Sequence, residues 1–205
     1  MDIKLNFYNK SNDANKSKIV IFQKPVNADW NELAVAWKVI ERCGTGDYHP
    51  FSYPMEMDVC ISDAFGNYTQ PLAAVNGDTF TITESDSGTR LSKSQIQASP
   101  NEIDVCNDMD VGAATAWIYK DGRKLATKSG ISPRQKAVFE FKPSIWIGVA
   151  SQVEEGEVMN SAIMSEINTE ISLLGIISAD ICMYGGGTTS TAQPFSFALE
   201  NIQRG

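Results

Sequence analysis

Between residues 159 and 183 the chain alternates in character with a period of two. One set of alternate positions contains Met159, Ile163, Ile167, Ile171, Leu173, Ile177, Ile181 and Met183 among small residues. The intervening set, with Glu166, Glu170 and Asp180, is mostly polar until Leu174 and Ile176, where both faces turn apolar. Side chains on extended backbone point to opposite faces in turn, so this pattern predicts strand with one dry face. Wound as a helix, the same residues would bring Glu166 and Glu170 into the apolar stripe.

Fully extended, the stretch would span roughly 80 Å, more than one sandwich can hold. It must therefore bend, pair with itself or project. It can serve as two core strands joined near Glu170 or Gly175. It can serve as an arm that pairs with a neighbouring copy. It can also serve as an amphipathic hairpin that enters a membrane barrel, since such strands need only about ten residues each. The two-sided apolar patch, Leu173, Leu174, Ile176 and Ile177, is more specific than the alternation around it. Together with Ile163, Ile167 and Ile171 it forms the expected interface or membrane-contact set.

The remaining segments are also strand-like. Ile3, Leu5 and Phe7 alternate with polar residues, and residues 18–23 (KIVIFQ) form a second run. These two are expected to make a hairpin across a long polar loop. Residues 33–40 read as a strand with Trp37 as a core anchor, and residues 43–54 as a loop rich in Gly, Pro and aromatics. Strands are also expected near residues 55–62, 102–106, 137–141, 145–150 and 195–202. Two hairpins are predicted from turn chemistry, one around Asn76-Gly77 and one around Asp121-Gly122, because type I′ turns need positive φ at both central residues. Residues 92–101 read as loop, and no solenoid period is found. The expected fold is all-β: one β-sandwich domain over 1–205, or an irregular barrel, of roughly ten short antiparallel strands with long loops.

A net charge of -8 sets the chain against phosphate backbones, so nucleic acid is excluded as a partner. The densest basic group is Lys120, Arg123, Lys124 and Lys128, at a turn and the strand leaving it. The first residues contain no charged-then-apolar leader, and no apolar run nears 18 residues, so a cytoplasmic product is expected, with export only by a non-classical route. Cys43, Cys60, Cys106 and Cys182 form no CxxC pair, which leaves zinc unsupported and reduced thiols or two disulfides open. Asn9, Asn15 and Asn67 each begin an N-x-Ser/Thr triplet, which carries weight only in a secreted chain.

His49 is the single histidine, so any Ser-His-Asp or Cys-His machinery must use it. It lies among Asp47, Tyr48, Phe51 and Tyr53, an aromatic group suited to stacking on a sugar or gripping a peptide. These five are the expected ligand-binding residues. Asp104, Asn107, Asp108 and Asp110 are the densest oxygen cluster, but Val105, Cys106 and Met109 interrupt the spacing that calcium loops use. Glu154, Glu155 and Glu157 could supply paired carboxylates for hydrolysis. Residues 185–187 (GGG) lack the Lys-Ser/Thr of a phosphate loop. No catalytic residues, metal or cofactor are assigned. The expected function is a non-catalytic interaction protein that binds a protein or carbohydrate ligand through loops, or assembles with its own copies through strand edges. The alternatives are a membrane-active, toxin-like protein using residues 157–184, and a carboxylate-dependent hydrolase.

Overall fold

The computed structural model describes residues 2–14, 17–26, 34–188, 190 and 192–205. Asn15, Glu32 and Leu33 lie outside them. Among the described residues the chain is all-β: four four-stranded sheets, no closed barrel and one short helix. The strands are β1 (Ile3–Asn9), β2 (Ile19–Phe22), β3 (Lys38–Ile40), β4 (Tyr48–Tyr53), β5 (Met57–Ser62), β6 (Leu72–Ala74), β7 (Thr79–Ser85) and β8 (Gly88–Lys93). They continue with β9 (Glu102–Asn107), β10 (Ala114–Lys120), β11 (Arg123–Ile131), β12 (Lys136–Glu140), β13 (Ser144–Val149), β14 (Thr169–Ser172), β15 (Ile176–Gly186) and β16 (Gln193–Arg204). The helix α1 is Ser161–Glu166.

The chain divides into two compact units. The first comprises Met1–Gln23, Ala36–Met55 and Pro143–Gly205, and the second Lys24–Val35 and Glu56–Lys142. In the first unit one sheet runs β16-β15-β1-β4 and the other β14-β13-β2-β3. In the second unit one sheet runs β12-β9-β7-β8 and the other β11-β10-β5-β6. Each unit has the two-layer, sandwich-like build of one mixed and one antiparallel sheet.

The two units share one topology. Advancing every strand number of β1–β4 by eight, and lowering β13–β16 by eight, converts the first unit's sheets into the second's. Strand direction is preserved: β1 runs parallel to β15 and β9 parallel to β7, while every other pair is antiparallel. The chain is thus a repeat of roughly 100 residues, a usual sandwich length, with β1–β8 matched by β9–β16. Each unit takes one half from each repeat.

Backbone detail supports the match. Gly46 donates its N–H to Asn9 O and Asp47 donates to Gly44 O; Arg134 donates to Asn107 O and Gln135 to Ser132 O. Gly46 and Arg134 both have positive φ, as do Arg42 and Gly130 at the start of the same turn. The side chain of Asn9 donates to Cys43 O (2.8 Å) and accepts from Ser11 N (3.0 Å). That of Asn107 donates to Ile131 O (2.8 Å) and Gly112 O (3.0 Å) and accepts from Met109 N (3.1 Å). Both asparagines are buried. Asn9 is therefore a structural clamp and no accessible acceptor for a sugar, and Asn107 spends its polar groups on backbone.

Several expectations are corrected. The alternating stretch is not continuous strand: residues 161–166 form α1, capped by Asn160, whose side chain accepts from Ile163 N (3.0 Å). The helix buries no residue of its own, and Met159 and Ile167 on either side are sealed, so alternation there reflects two anchors rather than a strand. The stretch projects nowhere. β14 pairs with β13, and β15 pairs with β1 and β16, so Gly175 joins strands of different sheets. β1 and β2 form no hairpin and belong to different sheets. The Asn76-Gly77 turn exists, with Gly77 at φ 94, but passes the chain from β6 to β7 in different sheets. Residues 43–54 are not all loop, because β4 lies in them. Residues 92–101 are not all loop, because Ser92 and Lys93 end β8, a strand the polar sequence Gly88–Lys93 did not advertise.

Other readings hold. β10 and β11 form the expected hairpin, with Asp121 and Gly122 at φ 54 and 69. Trp37 is sealed in the first unit's core, edge-on to Phe51 and Tyr53. All four cysteines are free thiols. No helix among the described residues is long and apolar enough to cross a membrane.

All four residues of β2 are buried, so both faces of its sheet are covered. Part of that cover is the 150–168 excursion, which seats Ile167 on Gly148 of β13. A Cβ at Gly148 would lie 2.9 Å from Ile167 Cγ2. Gly148→Ala should cost about 1–3 kcal/mol by overpacking; an unchanged thermal melt would show that the excursion does not depend on this seat.

Candidate functional site

β4 places four of the five expected ligand-binding residues, Tyr48, His49, Phe51 and Tyr53, on an edge strand that pairs only with β1. Asn9 N donates to Asp47 O (3.0 Å), which makes Tyr8–Tyr48 a pair without mutual hydrogen bonds. Two residues on, Pro50 has the same status, so its missing N–H faces the free edge, where proline is tolerated. Strand alternation then splits the aromatic group. Tyr48 is exposed on the open face, stacked on Tyr8 at 5.5 Å. His49, Phe51 and Tyr53 take the opposite face, where Tyr53 is buried and Phe51 lies under Lys38 Nζ at 5.6 Å. Burial, relieved in part by a bond to Gln23, pushes the Tyr53 phenol up to about 12. Asp47 caps its own turn by accepting from Gly44 N (2.9 Å). The residues do not converge on one pocket.

The open face of the same sheet carries a polar cluster that the sequence did not reveal. Lys10 Nζ bonds Glu200 Oε2 at 2.7 Å, and the Tyr184 hydroxyl donates to Glu200 Oε1. Lys10 also lies 5.7 Å from the centre of the Tyr184 ring. Asp180 accepts from Asn6 (2.9 Å) and Asn201 (2.6 Å). The bond to Lys10, then that to Tyr184, holds the Glu200 carboxyl below its ordinary range. That contribution is present above the ordinary Glu range and is lost as pH falls through the lowered value. Burial raises the Cys182 thiol, outweighing the opposing bond to Lys10. A raised, sealed thiol is a poor nucleophile at neutral pH.

Most of the acidic groups weighed for metal or hydrolysis are engaged in bonds of the fold. Asp104 Oδ2 bonds Lys136 Nζ at 2.6 Å, and Asp110 approaches Arg134 at 3.5 Å. Glu154 bonds Lys18 at 2.5 Å, Glu155 accepts from Val39 N at 3.2 Å, and Glu157 accepts from Glu154 N at 3.0 Å. Among the described residues, no three of His, Cys, Asp and Glu are grouped to hold a metal ion.

The expected interface set divides by burial. Ile167, Ile171, Leu173 and Ile176 are buried and Ile163 is half-buried on α1, whereas Leu174 is 68% exposed and Ile177 39%. The exposed pair joins Met55, 49% exposed, around an apolar cleft of about 230 Å³. Ile3, Pro143, Leu173 and Ile176 form its floor and walls, and Asp2 is its one charged lining residue. Arg204 stands beside it, donating to Leu174 O at 3.2 Å.

The repeat supplies an internal comparison. The turn over residues 173–176 closes with Ile176 N donating to Leu173 O at 3.1 Å, and Gly175 has φ 69. Its counterpart over 75–78 closes with Asp78 N on Val75 O, also at 3.1 Å, with Gly77 at φ 94. The second unit makes this turn with Asn76 where the first has Leu174. Exposed Leu174 is therefore not a requirement of the turn. Compared with protein-family models, curated proteins and solved structures, the chain matches none.

Proposed function

We propose that this is a non-catalytic interaction protein that associates with a second copy of itself through the Leu174–Ile177–Met55 patch. One observation carries the reading: at one position of the same turn the second unit has Asn76 and the first has exposed Leu174. Exposed apolar surface that folding does not demand is a mark of contact. A two-fold contact must be self-complementary. The rim has one acid, Asp2, and one base, Arg204, so each can face the other's counterpart across the axis. With a net charge of -8 the rest of the surface repels its copy, and an apolar patch with a balanced rim is where two copies meet at least electrostatic cost.

The test is light scattering across a wide concentration range on the whole protein and on Leu174→Asn/Ile177→Thr. The native protein should reach dimer mass, and the double variant should stay monomeric at least tenfold higher in concentration with an unchanged melt. Equal mass for both would sink the reading. So would a monomer that co-floats with liposomes through these residues, which would assign the patch to a bilayer.

A further inference from the structure

The antiparallel sheets of the two units share a topology but differ in cover. β2 is buried at every position, whereas its counterpart β10 alternates buried and half-buried, leaving Thr115, Trp117 and Tyr119 on a partly open face. The reason is the connection between the first two strands of each half. In the first unit, residues 150–168 lie between β13 and β14 and include α1. In the second, only residues 63–71 lie between β5 and β6.

That short connection is held firmly. Asp63 Oδ1 accepts from Phe65 N and Asn67 N, both at 2.9 Å, and Oδ2 accepts from Asn67 Nδ2 at 3.0 Å. These bonds, the Asn67 side chain first, hold the Asp63 carboxyl below its ordinary range. The turn presents Phe65 at 91% exposure and lays Tyr68, 57% exposed, over Trp117 at 6.4 Å and 34°. Trp117 Nε1 is already engaged by Ser62 Oγ at 3.4 Å. Lys124 Nζ sits 4.3 Å from the centre of the Trp117 ring, and among the described residues no carboxylate bonds it. The result is a rigid aromatic shelf with a positioned ammonium in a chain of net charge -8.

We infer that this shelf binds an acidic oligosaccharide, a uronate polymer, with sugar faces stacked on Tyr68 and Phe65 and a carboxylate against Lys124. Flat, exposed rings suit the apolar faces of pyranoses. The ammonium over Trp117 supplies the complementary charge. The inference does not depend on the self-association patch.

The experiment is calorimetric titration of the whole protein with tetragalacturonate, with its fully methyl-esterified form and with tetraglutamate. Tetragalacturonate should bind, more weakly as salt rises. Esterification, Lys124→Gln and Tyr68→Ala should each weaken binding at least tenfold, while Leu174→Asn should leave it unchanged. Both shelf variants change surface groups, and an unchanged melt will certify their fold. No binding at millimolar tetragalacturonate overturns the inference. Equal binding of the ester, or equal binding by both shelf variants, also overturns it. Tetraglutamate binding as tight as the sugar reassigns the shelf to acidic peptides and overturns it too.

Discussion

Asn107→Ala is expected to destabilise the second unit by about 3–4 kcal/mol, because it strands two buried backbone groups and a third that is part-buried, each buried group being worth about 1–3 kcal/mol. The side chain is fully sealed and ties Ile131 O, Gly112 O and Met109 N together where β9 ends and β11 closes. For a unit of this size the melting temperature should fall on the order of 15 °C. Asn9→Ala should act alike on the first unit, where it frees Cys43 O and Ser11 N. Asn107→Asp is a sharper probe. It sets a carboxylate against two carbonyl oxygens, so its loss should exceed that of the alanine variant at pH 7 and shrink on acidification, when a protonated carboxyl can donate once. Calorimetric melts of the three variants decide the matter. A loss below 1 kcal/mol for Asn107→Ala would mean that the clamp is decorative.

Lys120→Met should do the opposite and stabilise the protein. Lys120 is 3% exposed at the end of β10, and burial brings its amine from 10.5 to about 7. Each tenfold change in proton affinity is worth about 1.4 kcal/mol, so this burial costs up to about 5 kcal/mol at and below neutral pH. Between about 7 and 10.5 the unfolded chain holds a proton that the folded chain has released. Stability of the native protein should therefore rise with pH through that window and level off above it. Methionine fills similar volume without charge, and Lys120→Met should gain about 3 kcal/mol at pH 7 and flatten the slope. Denaturant melts at pH 6, 8 and 10 test both. A native slope of zero between pH 7 and 10 would refute the assignment.

Local patterns were legible in the sequence, and long-range partners were not. Asp121-Gly122 announced its hairpin because a two-residue turn fixes its own pairing. Asn76-Gly77 announced a turn equally well, but a turn says nothing about which sheet receives the next strand. The apolar character of residues 173–177 pointed to a contact surface, yet Leu173 and Ile176 went inward while Leu174 and Ile177 stayed out. β4 looked like loop because His49, Pro50 and Ser52 suit an exposed edge poorly described by strand propensity. The repeat was hidden for a related reason. β1 and β9 share a terminal buried asparagine and buried apolar positions, while Phe7 and its counterpart Val105 differ in size and Leu5 and Ile103 in branching. Asn9 looked like a sugar acceptor and Asn107 like a cation ligand, and only the shared hydrogen bonds reveal one role. The aromatic shelf escaped notice because the turn bearing Phe65 and Tyr68 is far in sequence from Trp117 and Lys124.

The exchange of halves between repeats also sets a timetable for synthesis. The second unit's strands have all left the ribosome once residue 142 has emerged, so it can close while translation continues. The strands β1–β4 are made first and finished last. Asn6, in the first strand, meets Asp180 across a separation of 174 residues. Until β13–β16 arrive, β1 has only β4 beside it and β2 only β3, so the face of Leu5, Phe7, Ile19 and Ile21 stays incompletely covered, and pairings so distant in sequence form slowly. The nascent chain therefore carries a finished sandwich and two incomplete strand pairs at the same time. Its period of greatest exposure to aggregation and to chaperones falls late in translation, with the unit whose residues were made first.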